Sequence, residues 1–173
     1  MNNLKIILYE NRHQPDFERL NRQWIEALFT MEPLDEYVLK NPFEAILQKG
    51  GVILMAEYDG VIAGTVALRK LNSGEYEFTK MAVDENFRRK GIGDALCRSS
   101  LEVAKALGVE KVILYSNRKN KEAIMMYEKT GFKHIPVEKG VYERADVKME
   151  IDVTAYINRY ANEVNPYFEF QPA

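Results

Sequence analysis

The chain has 173 residues, 46% of them apolar, which suits one compact domain with a buried core. Lysine and arginine number 24 against 26 acidic residues, a formal charge of -2, whereas a chain that lives by gripping nucleic acid carries a clear basic excess. The one cysteine, Cys97, excludes an intrachain disulfide and suits a reducing, cytoplasmic setting, and the opening apolar run is too short for a signal peptide or a membrane span.

In chain order, Leu4 to Tyr9 reads as a first strand. From Pro15 to about Phe29 the apolar residues Phe17, Leu20, Trp24 and Leu28 recur at helical spacing, and Asp16 and Glu18 favour the helix start. "LDEYVLKNPFEAILQKGG" reads as one or two short helices, with Pro42 at a start and Gly50-Gly51 as a stop. The period then changes to that of strands. Asp59-Gly60 and Asn72-Ser73-Gly74 are turn signals, which predicts an antiparallel meander near 52–58, 61–70 and 75–83. Ile92, Ala95, Leu96, Val103, Ala104 and Leu107 line one side of a helix that Gly108 can cap. "KVILYSN" is a short buried strand. Asn120, Ala123, Ile124 and Tyr127 share a helical face that ends at Gly131, and strands follow near 132–137 and 145–153. No repeat or linker interrupts residues 4–153, which are expected to form a single domain. The tail 154–173 is rich in aromatics and is expected to pack on the domain or on a partner.

Between the third meander strand and the next helix stands "DENFRRKGIG". A helix start presents unpaired N–H groups and a positive dipole end, glycine lets the backbone approach a ligand, and Arg88, Arg89 and Lys90 add full charges. Together these suit a phosphate or diphosphate. The competing reading is a plain turn with solvated cations. A P-loop fits worse because its lysine and longer spacing are absent, and a dinucleotide fingerprint fits worse because Leu96 stands where a third glycine belongs.

"RRKGIG" resembles the Q/R-x-x-G-x-G/A pattern of the GCN5-related N-acetyltransferases (GNAT), with Arg88, Gly91 and Gly93 at the defining positions. "LYSNRKNKEAIMMYEKTGFKHI" is similar to that family's second motif, through Asn120, Ala123, Tyr127, Gly131 and Phe132. The resemblance spans roughly Leu4 to Val153. It implies the acyl-CoA N-acyltransferase fold, of the α/β (α+β) class: a mixed, mostly antiparallel central sheet flanked by helices, whose fourth and fifth strands splay apart. It also implies acetyl-CoA as acyl donor and an amine as acceptor. On this reading the backbone of Met81 and Val83 meets the pantetheine arm. The loop Arg88, Arg89, Lys90, Gly91, Ile92, Gly93 and Asp94 cradles the diphosphate, and Asn120 meets the arm or the sulfur side.

Acyl transfer to an amine needs a base for the ammonium proton, donors for the oxyanion and a partner for the leaving thiolate. The motif assigns the last role to Tyr127, whose phenol can donate to sulfur; position alone would make it a core aromatic. Glu77 is the candidate base, acting through water, on an alternation that puts Glu75, Glu77, Thr79, Met81 and Val83 on one strand face. A plain surface carboxylate is the competing reading.

Cys97 lacks a base partner and reads as a buried structural thiol, and the scattered His13, His134 and Cys97 give no metal signature. Acceptor recognition falls to roughly 15–50 and 136–146, where Trp24, Phe29, Glu32, Asp35, Glu36, Tyr37, Tyr142 and Arg144 stand. The acidic residues suit a cationic amine and the arginine suits a carboxylate; a small-molecule amine is favoured over a peptide. The alternative from a different class is an acyl-CoA-binding or sensing module without turnover, indifferent to loss of Tyr127 and Glu77. A homodimer is left open, and neither nucleic acid nor membrane is expected as a partner.

Overall fold

The computed structural model describes residues 3–140, 142–160 and 163–170. Strand β1 is Leu4–Leu8, and the meander is β2 Val52–Tyr58, β3 Val61–Lys70 and β4 Glu75–Val83. β5 is Lys111–Ser116, β6 Lys133–Ile135 and β7 Val147–Asp152. They form one sheet in the order β1-β2-β3-β4-β5-β7-β6. Every neighbouring pair is antiparallel except β4 and β5, which run parallel. The mixed, mostly antiparallel sheet expected from the sequence is the one observed.

Helices cover both faces. On one side lie α1, Gln14–Leu28, and α2, Pro33–Lys40, followed by one π-helical turn, Phe43–Leu47. Phe17, Leu39 and Ile46 from this layer pack on Ile53, Met55 and Ala67 of β2 and β3. On the other side lie α3, Ile92–Ala106, and α4, Lys121–Thr130. Leu96, Leu101 and Tyr127 pack there on Leu54, Leu68, Phe78 and Leu114. Strand alternation sends successive residues of the central strands to opposite layers, so each strand reads as a continuous apolar run.

Two segments carry detail that spacing and composition leave out. In α1 the buried stripe is Phe17, Leu20 and Ile25; Leu28 is exposed, and Trp24 turns toward the cavity described below. The spacing of i, i+3, i+7 and i+11 drifts around the helix, so its end rotates off the sheet. The tail is also more regular than its composition suggests. It opens with α5, Val153–Tyr160, and farther on the Ile6 N–H donates to the Tyr167 carbonyl at 3.0 Å. Tyr167, Phe168 and Phe170 pack against the core on the α3 side, and the backbone of edge strand β1 gains a partner. Residues 161–162 and 171–173 of that tail lie outside the described residues.

The feature that positions the site is the divergence of β4 and β5. Their pairing runs from Glu75–Lys111 to Phe78–Leu114 and stops there, although β4 continues to Val83 and β5 to Ser116. β4 also carries a bulge. Thr79 pairs with Ala67 and Ala82 with Thr65, so Lys80 and Met81 together oppose Val66 alone. Lys80 takes the left-handed conformation, φ 52°, that this extra residue demands.

Candidate active site

The bulge breaks the alternation assumed for β4. Glu77 and Lys80 face the α1 and α2 layer, where Lys80 meets Asp35, while Met81 and Val83 face α3. The expectation that Glu77 shares a face with Met81 and Val83 is therefore wrong, because one inserted residue inverts every later side chain. The backbone follows the same logic. The Asp84 N–H donates to Ala63 on β3 at 2.8 Å. By alternation the amides of Met81 and Val83 point to the other edge, the gap that β5 has left.

A cavity of about 690 Å³ opens beside that gap. Arg88, Arg89, Gly91, Ile92, Gly93 and Asp94 line its outer end, and Met81, Val83, Asn120 and Tyr127 line its inner end. The volume is in the range of small-molecule and cofactor sites. A smaller cavity of about 70 Å³ continues on the α1 and α2 side, bounded by Glu77, Lys80, Tyr142 and Arg144. The two share Trp24, Met81, Asn120 and Tyr127 as walls, so they meet where β4 and β5 part.

The outer end is electropositive. Gly91 caps α3 with φ 78°, a left-handed conformation natural to glycine, and a Cβ there would meet nothing within 4 Å. The free N–H groups of the first turn of α3 thus face open space beside two exposed guanidiniums. Gly93 has a different reason to be glycine: a Cβ would stand 2.9 Å from the Met126 sulfur, so it lets α3 approach α4 closely. Ile92 is buried in the core, which leaves its amide but not its side chain facing outward. Lys90 is absent from the cavity wall; its Nζ lies 5.3 Å from the Tyr58 ring centre. Sequence proximity had grouped it with Arg88 and Arg89, but the left-handed turn at Arg89, φ 61°, sends it elsewhere.

At the junction, Tyr127 is buried between Phe78 and Phe132, with ring centres 5.5 and 6.0 Å away in edge-to-face contact. Its hydroxyl has no hydrogen-bond partner among the described residues, and burial, then the neighbouring Cys97, pushes the phenol well above its ordinary value. It is a neutral donor at the cavity wall. Asn120, the N-cap residue of α4, makes no side-chain cap bond, so its amide also remains available. Cys97 is buried, which raises its thiol, as does the Asp94 charge. That is the inert thiol expected of it.

The inner end is a network of charges. Glu77 is 1% exposed. Its Oε1 accepts from Arg69 Nη2 at 2.6 Å and Nε at 3.1 Å, and its Oε2 accepts from the Tyr142 hydroxyl at 2.9 Å. Asp35 Oδ1 accepts from Lys80 Nζ at 2.8 Å, and Arg144 donates to both Asp35 oxygens at 2.6 and 2.9 Å. Burial pushes the Asp35 carboxyl up, but the Arg144 hydrogen bonds and the Lys80 charge outweigh it and hold it well below the usual carboxylate range. Arg144 also reaches Glu32 at 2.8 Å and stands about 6 Å from the ring centres of Trp24, Phe29 and Tyr142. Of the eight acceptor-side residues marked in the sequence, Trp24, Phe29, Glu32, Asp35, Tyr142 and Arg144 converge here, whereas Glu36 pairs with Arg22 and Tyr37 is exposed. The sequence had missed Lys80 and Arg69, since neither belongs to a motif and Lys80 reaches the site only through the bulge. Among the described residues, no helix is long and apolar enough to cross a membrane, and no cluster of three or more His, Cys, Asp or Glu could hold a metal.

Residues 13–132 match the model of the acetyltransferase (GNAT) family. The chain is 34% identical over 117 residues to the N-acetylaspartate synthetase of Homo sapiens, a stretch that is 66% of this chain and 36% of that protein. It spans about a third of the length of the N-acetylaspartate synthetases it matches. Among solved structures, an acetyltransferase of the GNAT family from Staphylococcus aureus Mu50 superposes with a TM-score of 0.79 at 20% identity, covering 87% of this chain and 99% of the other. The PaiA N-acetyltransferase from Thermoplasma acidophilum, solved in complex with coenzyme A, superposes with a TM-score of 0.70 at 18% identity over 87% and 99%. The architecture is thus that of the acyl-CoA N-acyltransferases.

Proposed function

The chain belongs to the GNAT family of acetyltransferases, and on that basis we propose that it transfers the acetyl group of acetyl-CoA to a primary amine of a small molecule. The observation that carries this reading is the through-going cavity: an electropositive, helix-capped mouth at one end, a polar chamber at the other, and a buried phenol where they join. Arg88, Arg89 and the amides of residues 91–94 hold the diphosphate of coenzyme A. The β4 edge at Met81 and Val83, which β5 leaves unpaired, offers its backbone to the pantetheine arm, and one of these amides stabilises the oxyanion. Asn120 steadies the arm near the sulfur.

The amine enters from the Glu77, Lys80 and Tyr142 side. It gives up a proton that passes through an intervening oxygen to Glu77, attacks the thioester carbonyl, and the C–N bond forms as the carbonyl oxygen takes negative charge. Collapse breaks the C–S bond. Tyr127 supplies a proton to the departing thiolate, and the second nitrogen proton restores the phenol. The inner chamber has room for the reacting end of a small amine, and the resemblance to N-acetylaspartate synthetase puts an amino acid among the acceptors to test.

Calorimetry with acetyl-CoA and thiol detection across a panel of amines test the reading together. Binding at the 88–94 loop and thiol release with one of the amines are expected. Tyr127→Phe should keep acetyl-CoA binding and lose roughly 10²-fold or more in kcat. A protein that shows no heat with acetyl-CoA refutes the reading, and a fully active Tyr127→Phe removes Tyr127 from it.

A further inference from the structure

Glu77 is shielded from an acceptor in the inner chamber. Arg69 occupies Oε1 with two N–H groups, the Tyr142 hydroxyl occupies Oε2, and the residue is 1% exposed. Tyr142, by contrast, is a half-buried residue in the wall of the inner chamber, and its hydroxyl is bonded directly to that carboxylate. Resting on the acetyl-transfer reading above, we propose that Tyr142 is a catalytic residue that relays the acceptor's proton to Glu77.

The step balances without any further reactant. The ammonium nitrogen donates to the Tyr142 oxygen and its proton moves there, while the phenolic proton moves to Glu77 Oε2. The ammonium becomes a neutral amine, the carboxylate becomes a carboxylic acid, and Tyr142 ends as it began. Its surroundings hold it in place for this. The Tyr115 ring on β5 packs edge-on at 5.6 Å, and Lys80 on β4 and Arg144 on its own loop stand 5.9 Å from its centre. Glu77 and Arg69, from β4 and β3, complete the charged groups that face it. Burial first, then the Glu77 charge, raises the phenol above its ordinary value. Tyr142 therefore stays protonated through the working range and accepts a proton only as it passes its own along. Arg69, which donates to Glu77 Oε1 and also interacts with Tyr142, sets a positive charge beside both ends of the relay.

The test uses the full chain, acetyl-CoA and three acceptors, L-aspartate, spermidine and 2-phenylethylamine, with thiol release read over a range of pH. Tyr142→Phe keeps the ring contacts and removes only the hydroxyl. It should lower kcat/KM for the acceptor roughly 10²-fold at neutral pH and leave the KM for acetyl-CoA unchanged. The deficit should shrink as pH rises toward the acceptor's own pKa, about 10 for an alkyl amine of the lysine kind, because the amine then arrives neutral. Tyr142→Phe combined with Glu77→Gln should be no slower than Glu77→Gln alone, since both lie on one path. A loss under about threefold, the same loss at every pH, or losses that multiply would overturn the relay. Wild-type protein that binds acetyl-CoA and releases no thiol with any of the three acceptors overturns the transfer reading instead, and the relay with it.

Discussion

Replacing Asp35 with asparagine tests the charge network that ties α2 to β4. The change keeps an oxygen that can accept the Glu32 N–H, which Asp35 holds at 3.1 Å, and removes one negative charge. Arg144 retains Glu32 at 2.8 Å, so the main loser is Lys80, whose side chain is 5% exposed and whose Nζ sits 2.8 Å from Asp35. Breaking one half of a buried pair costs roughly 3–5 kcal/mol, because the remaining charge stays desolvated. For a chain of this length 1 kcal/mol is worth about 2–4 °C, so a melting point lower by roughly 6–20 °C is expected in a thermal scan at neutral pH. Adding Lys80→Met to Asp35→Asn removes the stranded charge and should recover part of that loss. The sign with pH also follows. The Asp35 carboxyl lies below its ordinary 3.8 when folded, so its contribution is complete above that value and fades as pH falls toward the folded one. The wild-type melting point should therefore drop on acidification below 3.8 more steeply than that of Asp35→Asn. A loss under about 2 °C, or no recovery on adding Lys80→Met, would refute the idea that this pair is desolvated and mutually dependent.

Two further predictions separate residues that the sequence places side by side. Gly91→Ala forces a Cβ into a left-handed cap and toward open space, so it should cost about 1–2 kcal/mol in a denaturant titration and weaken acetyl-CoA binding as well. Gly93→Ala meets only the flexible ends of Met126 and Met81, and should change stability by less than about 1 kcal/mol, with helix propensity offsetting the shift. Arg89→Ala should weaken acetyl-CoA binding and flatten its salt dependence in calorimetry, whereas Lys90→Ala, whose ammonium lies over Tyr58, should do neither.

The meander was legible because Asp59-Gly60 and Asn72-Ser73-Gly74 interrupt apolar, β-branched runs, and turn chemistry of that kind is local. The strands came out at 52–58, 61–70 and 75–83 for that reason. The helix after the glycines and the Asn120-to-Tyr127 face were equally readable, since spacing of three and four residues is a property of the chain alone. The pairing partners of those strands were not. Only the folded sheet shows that β4 leaves β5 after Phe78, and a single extra residue at Lys80 turns Glu77 and Met81 to opposite layers. A bulge depends on what the neighbouring strand offers, so no period in the β4 sequence announces it. The network of Arg69 with Glu77 and Tyr142, and of Lys80 with Asp35 and Arg144, likewise joins residues 8 to 109 positions apart. Local sequence determined which segments are strands and helices and where glycines and arginines meet at a helix start. Tertiary contact decided which side chains meet, because hydrogen bonds and charge pairs form across space, and sequence separation sets no limit on them.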